Sequence, residues 1–571
     1  MHNRVIAAMF NDIADMLEIK DDSPFRITAY RRAARALEEM GEDIAAVAAR
    51  GQRDLLKVPG IGKGTAEKIE EFLERGTSAY YEELRASLPL GITTLMSVPE
   101  VGPKTALLLH EKLGVGTIEE LEQAAKEGRI RTLPRMGAKT EENIIRGIAL
   151  IRRTKERRPI GRVLPVAQEI SDAIRALKEV KALSLAGSLR RMRETIGDID
   201  LVVTSGRPER VMETFAAFPR VKQVLAKGPT KSSVLLDNGI QADVRVVDPE
   251  SFGAALQYFT GSKDHNVKVR ERAVRMGLKI NEYGVFRVKD DKRLAGRTEE
   301  DVYAAVGLPW IPPEIREDQG EVELAEKRKL PRLIALEDIR GDLQMHTRWS
   351  DGSEPVEQMA RVAKERGYEY IAITDHSQSL KFVGGVPVEE LRANARTCRK
   401  VSDKLGIAVL IGTECDVLPD GRMDYPDEVL AELDVVVASV HTRLKMSREE
   451  MTARLVRAME HPHVDIIGHP TGRLLGQREP YDVDMERVVE AAARTGTALE
   501  INASPDRLDL SDAHARLARE RGVTLVISTD AHSRYELRFM EYGIAVARRA
   551  WVEPKDVLNT LSLKELQARL A

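Results

Sequence analysis

The sequence predicts a multidomain α/β chain: a helical N-terminal region, a central set of strands edged by carboxylates, and a C-terminal parallel barrel. Three observations carry this. Residues 1–85 repeat apolar side chains at helical spacing, and tight glycine turns interrupt and follow them as far as Thr140. Residues 183–247 alternate short apolar runs with Gly–Ser and Asp-x-Asp turns. Residues 338–571 repeat a strand–loop–helix rhythm whose apolar runs end in His, Asp or Glu. A length of 571 residues suits about three or four domains. The formal net charge is −3, yet residues 1–335 hold 56 Lys+Arg against 51 Asp+Glu, and the remainder 32 against 40. A mildly basic part followed by an acidic part reads as separate modules. No run of ~18 apolar residues occurs and Met1–Arg4 lacks a signal pattern, so no membrane partner is expected. Two cysteines, Cys398 and Cys415, argue against a disulfide framework and point to a reducing compartment, with the cytoplasm as the expected location.

In chain order, Val5–Leu17 and Ala29–Met40 read as helices. Val58–Pro59–Gly60–Ile61–Gly62–Lys63 follows them. A tight turn of this kind between two short helices offers backbone N–H groups to one DNA phosphate and touches no base. Val98–Ala106 and Leu133–Thr140 echo it, with Glu100 and Arg135 in place of the first glycine, so these two read either as phosphate sites or as structural hairpins. Gly60, Gly62 and Gly102 are the DNA-binding candidates. Gly102–Pro103–Lys104–Thr105 is not a nucleotide P-loop, because the G-x-x-x-x-G-K-[ST] spacing is absent and Pro103 interrupts it. The basic run Arg152–Pro159 marks a boundary.

Leu183–Ala186 reads as a strand, turned by Gly187–Ser188 into a short helix with Arg190 and Arg191. Gly197–Asp198–Ile199–Asp200 then enters a second strand. Residues two apart on a strand share a face, so Asp198 and Asp200 converge. Asp243 lies on a third strand, Ile240–Val247, after the hairpin turn Asn238–Gly239. Three neighbouring carboxylates repel one another unless hard divalent cations sit among them. Gly187, Ser188 and Arg191 supply N–H, hydroxyl and guanidinium donors suited to a triphosphate. Carboxylates for metal beside donors for phosphate point to nucleotidyl transfer. A lone Asp-x-Asp reads as a solvated turn; the flanking G-S-x-x-R and the later strand aspartate oppose that reading. Gln257–Tyr258–Phe259–Thr260–Gly261–Ser262–Lys263–Asp264–His265–Asn266 follows, then Ile280–Phe286.

In the last part, Gly341–Asp342–Leu343–Gln344–Met345–His346 leads to Asp351, and Tyr370–Ile373 leads to Asp375–His376. Val409–Thr413 ends in Glu414, Val435–Val440 in His441, Val464–Gly468 in His469, and Leu525–Ser528 in Asp530 and His532. In parallel barrels the site lies at the C-terminal strand ends, where His and carboxylate ligands suit zinc, manganese or iron. A single histidine after a strand is ordinarily structural; six such strand ends are not a coincidence. His461, His463 and His514 lie in helix or loop contexts and read as surface residues.

The three glycine turns resemble helix-hairpin-helix motifs. The G-S…G-D-x-D pattern with Tyr258–Ser262 resembles the family X DNA polymerases, and residues 338–571 resemble the polymerase and histidinol phosphatase (PHP) domain. The resemblance implies the following boundaries: a helical DNA-end-binding domain over 1–85, fingers over 86–158, and a nucleotidyltransferase palm over 159–250. A thumb follows over 251–315, a linker over 316–337, and a distorted (β/α)7 PHP barrel over 338–571. It implies gap filling in damaged DNA, with gapped or primed DNA and dNTPs as partners, a monomer, and 3′→5′ exonuclease activity, with abasic-site cleavage or 3′-phosphate removal as further hydrolyses. Asp198, Asp200 and Asp243 are then the catalytic carboxylates holding Mg2+ or Mn2+. Gly187, Ser188, Arg191 and Gly197 cradle the triphosphate, with Arg190 structural. Tyr258, Phe259, Gly261, Lys263 and Asn266 border the nucleotide, Lys263 replacing an acidic residue of some relatives.

Lys68 takes the place of the family's Schiff-base lysine; read from its residues alone it is a solvated helix lysine near DNA phosphate. In the PHP half, up to three Zn2+ or Mn2+ ions are implied: one on Gln344, His346, Glu414 and Asp530, a second on Glu414, His441 and His469, a third on Asp351, His376 and His532. Gln344 departs from the family's histidine, and a neutral amide oxygen is the weaker ligand. Two rival readings are a DNA-end-binding nucleotidyltransferase whose PHP half is only structural, and a transferase without template direction.

Overall fold

Ile6, Phe10, Ile13 and Leu17 recur every three or four residues, so helix His2–Ile19 presents one apolar stripe. That stripe packs on Ala33, Ala34 and Leu37 of helix Pro24–Glu39. A computed structural model describes residues 2–20, 22–40, 44–58, 60–89, 91–96, 98, 101–134 and 136–570; Pro59, Pro99, Glu100 and Arg135 of the hairpin motifs lie outside them. The chain divides into two compact units, one built mainly on residues 1–155 and the other on most of residues 156–571. In the first, Gly62 caps helix Lys63–Arg75 and Gly102 caps helix Pro103–Leu113. Both helices therefore start on a glycine turn, as the hairpin motif requires. A second apolar cluster gathers Leu95, Val101, Leu109, Leu121 and Ile144.

The second unit opens with a five-stranded sheet: β1 Val180–Leu185, β2 Asp198–Ser205, β3 Val221–Lys227, β4 Lys231–Leu236 and β5 Gln241–Val246. The order is β1-β2-β5-β4-β3, with β2 and β5 parallel and the other pairs antiparallel. Alternation along β2 sends Ile199, Leu201 and Val203 to helices Ile160–Arg175 and Pro208–Ala216. Val202 points the other way, to Ala255 and Leu256 of helix Phe252–Thr260. Helices on both faces leave the strand ends as the open edge. A three-stranded sheet follows, β6 Leu278–Asn281, β7 Gly284–Arg287 and β8 Arg293–Ala295. Residues 316–337 are packed: Val322, Ala325 and Leu333 share a core with Val302, Tyr303 and Trp551.

Seven parallel strands complete the unit: β9 Gly341–Asp342, β10 Tyr370–Ile373, β11 Ala408–Asp416, β12 Val435–Ser439, β13 Ile466–Ile467, β14 Ala498–Asn502 and β15 Leu525–Ser528. They pair in sequence order. The first and last are drawn together just past their ends. Asp342 accepts from the Thr529 N–H at 3.2 Å and from its hydroxyl, and the His346 N–H donates to the Ala531 carbonyl at 2.8 Å. The result is a nearly closed barrel. Sequence reading did not single out β14 as a strand. One apolar core runs from Leu201, Val203 and Val244 of the first sheet to Ile371, Val436 and Ile527 of the barrel. Among the described residues, no helix is long and apolar enough to cross a membrane.

Candidate active sites

The first site stands where β2 and β5 begin. Asp200 is the register partner of Asp243, and Asp198 precedes Asp200 by two residues on the same face. Gln241 Nε2 donates to Asp243 Oδ1 at 3.1 Å. Burial, and then repulsion from Asp198 and Asp243, pushes the Asp200 carboxyl up to about 7. Gly187 faces it at φ +61°, and a Cβ there would lie 2.5 Å from Asp200 Oδ2. The turn can approach the carboxylates only as glycine. Ser188 Oγ is buried and makes no hydrogen bond.

Arg191 ends the short helix Gly187–Arg190, with Nε donating to Glu317 Oε1 at 3.0 Å and Nη1 to the Thr260 carbonyl. Arg190 instead grips Glu299 with both terminal nitrogens, at 2.8 and 2.7 Å. That bidentate pair ties the turn to helix Glu299–Ala305. Gly197 sits half-buried just before Asp198. Tyr258 and Phe259 meet edge to face at 5.1 Å, with the Arg245 guanidinium 4.3 Å over the Phe259 ring. Gly261, at φ +70°, passes close to Arg191: a Cβ there would lie 3.1 Å from Nη1. Asn266 donates to the Tyr258 carbonyl at 2.8 Å and accepts from Gln257 at 2.7 Å, so its amide braces the aromatic turn. Lys263 is exposed at the start of helix Lys263–Arg275.

The second site fills the C-terminal mouth of the barrel and is centred on Glu414. Glu414 Oε2 lies 3.0 Å from His376 Nδ1 and 3.4 Å from His346 Nε2; Oε1 lies 2.8 Å from His469 Nε2 and 3.2 Å from His441 Nε2. Burial would raise the Glu414 carboxyl, but His441 and His376 outweigh it and hold it well below the carboxylate range. His346 Nε2 lies 3.0 Å from Asp530 Oδ1, and its ring stacks on His532 at 4.2 Å. Ligand atoms of His346, His376 and His532 fall within 4.8 Å of one another. The same holds for His376, Glu414 and His441, and for His346, Glu414 and Asp530. His376 therefore touches the Glu414 group as well as the His532 group. Asp351 follows in the loop after Ser350, half-buried. Gln344 is fully buried; Nε2 lies 3.5 Å from Asp530 Oδ1, and Oε1 accepts no hydrogen bond. Asp530 and His469 sit at φ +54° and +28°, left-handed conformations uncommon outside glycine.

Both donor sets fit divalent cations. Three carboxylates, one of them forced towards neutrality, and a buried amide oxygen among imidazoles are groups that a cation satisfies. His461, His463 and His514 are half-buried and belong to none of the groups. Sequence reading missed two residues of the barrel mouth. Glu500 accepts from the His469 N–H at 2.7 Å, and Arg507 Nε stands 3.5 Å from Asp530 Oδ2. Neither follows a strand-end motif; only the position of β14 beside β15 brings them in.

In the first unit, Gly60 adopts φ +94°, and a Cβ there would lie 3.1 Å from the Arg32 carbonyl. Lys68 Nζ sits 4.7 Å over the Tyr80 ring and 5.9 Å over Tyr30. Burial lowers its ammonium pKa, the direction Schiff-base chemistry requires.

Known proteins resemble this chain along its whole length. The DNA polymerase beta thumb family matches residues 255–317 and the PHP domain matches residues 342–504. A helix-hairpin-helix domain matches residues 1–78, and a SAM-like helix-hairpin-helix tandem matches residues 92–149. The chain is 41% identical over 573 residues to the DNA polymerase/3'-5' exonuclease PolX of Bacillus subtilis, an alignment covering 100% of this chain and 99% of that protein. It is 31% identical over 212 residues to a probable phosphatase of Caldanaerobacter subterraneus, covering 35% of this chain and 79% of that one. A probable phosphatase of Thermoanaerobacter sp. is 28% identical over 218 residues, covering 35% and 82%.

Proposed function

Because the chain belongs to the bacterial family X DNA polymerases that carry a PHP domain, we propose that it fills short gaps in primed DNA from dNTPs and removes 3′-terminal nucleotides in its barrel. The observation that carries the polymerase half is the side-by-side pairing of Asp200 with Asp243, closed on one flank by Gly187. Asp198, Asp200 and Asp243 hold Mg2+ or Mn2+. Gln344, His346, Glu414, Asp530, His441 and His469, with Asp351, His376 and His532, hold Zn2+ or Mn2+. When bound, such ions supply Lewis-acid charge to a triphosphate in one site and to a phosphodiester in the other.

The chain's own groups do the rest. Asp243 accepts the proton of the primer 3′-hydroxyl. Ser188 Oγ, the N–H groups of the Gly187 turn and Gly197, and the free Nη2 of Arg191 receive the triphosphate oxygens. Tyr258, Phe259 and Gly261 bound the sugar, Lys263 faces the nucleotide, and Asn266 borders it by bracing the Tyr258 turn. Gly60, Gly62, Gly102 and Lys68 bind DNA phosphate without reading sequence. The stretches 1–85, 86–158, 159–250, 251–315 and 338–571 are assigned as DNA-end-binding, fingers, palm, thumb and PHP domains, joined across 316–337.

The test is primer extension and 3′ trimming on gapped DNA with each metal in turn. Asp198→Ala with Asp200→Ala is expected to abolish extension and spare trimming. His376→Ala is expected to do the reverse. Loss of both activities in either folded variant contradicts two separate sites, and full trimming by His376→Ala makes the barrel a structural element only.

A further inference from the structure

The carboxylate that pairs with Arg191 is also gripped from the barrel. Arg549, the last residue of helix Met540–Arg549, sends Nη1 to Glu317 Oε1 at 3.1 Å and to the Arg191 carbonyl at 3.1 Å. Its Nη2 donates to Asp512, which opens helix Asp512–Glu520 of the barrel. The Arg549 side chain is 4% exposed. A cation this deep persists only where acceptors surround it, and removing one leaves the rest of the pair uncompensated. Glu317 Oε1 is thus shared between Arg191 Nε and Arg549 Nη1. It cannot turn away from one without unmaking the bond to the other. Arg191 is fixed at Nε by Glu317 and at Nη1 by the Thr260 carbonyl, and Nη2 makes neither bond.

A separate contact clamps the same loop. Glu194, three residues past Arg191, accepts from Arg473 Nη2 at 2.8 Å. Arg473 in turn holds the Arg507 and Leu508 carbonyls beside the barrel mouth. The loop between Arg191 and Asp198 is therefore held to the barrel by two arginines.

We propose that Arg549 is a positioning residue for nucleotide addition: through Glu317 it sets the Arg191 guanidinium, so the PHP barrel tunes dNTP affinity in the palm. The proposal rests on the reading of Arg191 as a triphosphate donor. Loss of one charge-assisted bond in the relay is expected to raise KM for dNTP about five- to tenfold in Arg549→Met, with kcat within about twofold. The Kd for gapped DNA and the trimming rate stay unchanged, and the inhibition constant of pyrophosphate rises in parallel with KM. Arg549→Lys restores part of the loss. Glu317→Gln combined with Arg549→Met is no worse than the worse single variant, because both break one relay.

Arg191→Met is measured alongside. If it leaves KM for dNTP unchanged, Arg191 is not a triphosphate donor and the relay falls with it. If Arg191→Met raises KM while Arg549→Met does not, the relay alone is overturned. Should Arg549→Met melt below the assay temperature, Arg549→Lys and Glu317→Gln decide: a raised KM with intact trimming supports the relay, and an unchanged KM overturns it.

Discussion

Asp200 is held where ionisation is unfavourable. Its carboxyl stands at about 7 against an ordinary value of 3.8, first because it is buried and then because Asp198 and Asp243 face it. Between those two values the folded chain binds more protons than the unfolded one, so stability falls as pH rises through that window. Below pH 4 the group is neutral in both states and contributes nothing. Above pH 7, in chelator, the folded state carries the full burden, on the order of 2–3 kcal/mol once partial exposure is allowed for. Asp200→Asn is therefore expected to melt higher than the parent chain in EDTA at pH 8 and nearly level with it at pH 4, while losing primer extension. Adding Mg2+ should narrow the gap at pH 8, because the cation relieves the same repulsion. Melting curves with an equal difference at both pH values would show that Asp200 is not strained.

At the scale of single elements, the turn between β1 and β2 has one geometry open to it. Gly187 combines φ +61° with a Cβ position 2.5 Å from Asp200 Oδ2. Gly187→Ala is expected to cost about 1–2 kcal/mol for the left-handed conformation. It is also expected to lower primer extension about 100-fold or more by displacing Asp200, with 3′ trimming unchanged. Normal extension by that variant would mean that the turn can retreat from the carboxylates. This element was legible in the sequence, because glycine turn chemistry and the two-residue period of a strand are local signals. The ligand-bearing strand ends of the barrel were legible as local motifs; Glu414 lies beside His346, His441 and His469, and also beside His376, which the sequence placed in a separate group. Strand β14 was not, since Ala498–Asn502 ends in no ligand and is ordered by its neighbours β13 and β15. Glu317 and Arg549 were invisible too: they lie 126 and 358 residues from the Arg191 groups they bond. The packing of 316–337 was equally hidden, because its apolar residues find partners as distant as Trp551.

For residues 156–571 as a whole, the five-stranded sheet and the barrel share one apolar core, and the core around Val302 and Tyr303 takes in Trp551 from the barrel side. Gly161 illustrates how close the fit is: a Cβ there would come within 2.4 Å of the Pro505 side chain. Polar contacts run across the same boundary, from Arg548 to Glu314 at 2.7 Å and from Arg473 to Glu194 at 2.8 Å. Modules joined by a continuous apolar core unfold together rather than in turn. A cation held by the Glu414 cluster would stabilise only the folded state; at about 100 times its Kd it adds about 2.7 kcal/mol, or roughly 3 °C for a unit of this size. Because the core is shared, that protection must reach the polymerase site as well. Aliquots heated with Mn2+ or with chelator, then assayed together in Mn2+ buffer, are expected to lose extension and trimming along one curve in each condition. Chelator should move both curves down by the same amount. If trimming disappeared at a lower temperature while extension survived, the barrel and the five-stranded sheet would be independent folding units despite their common core.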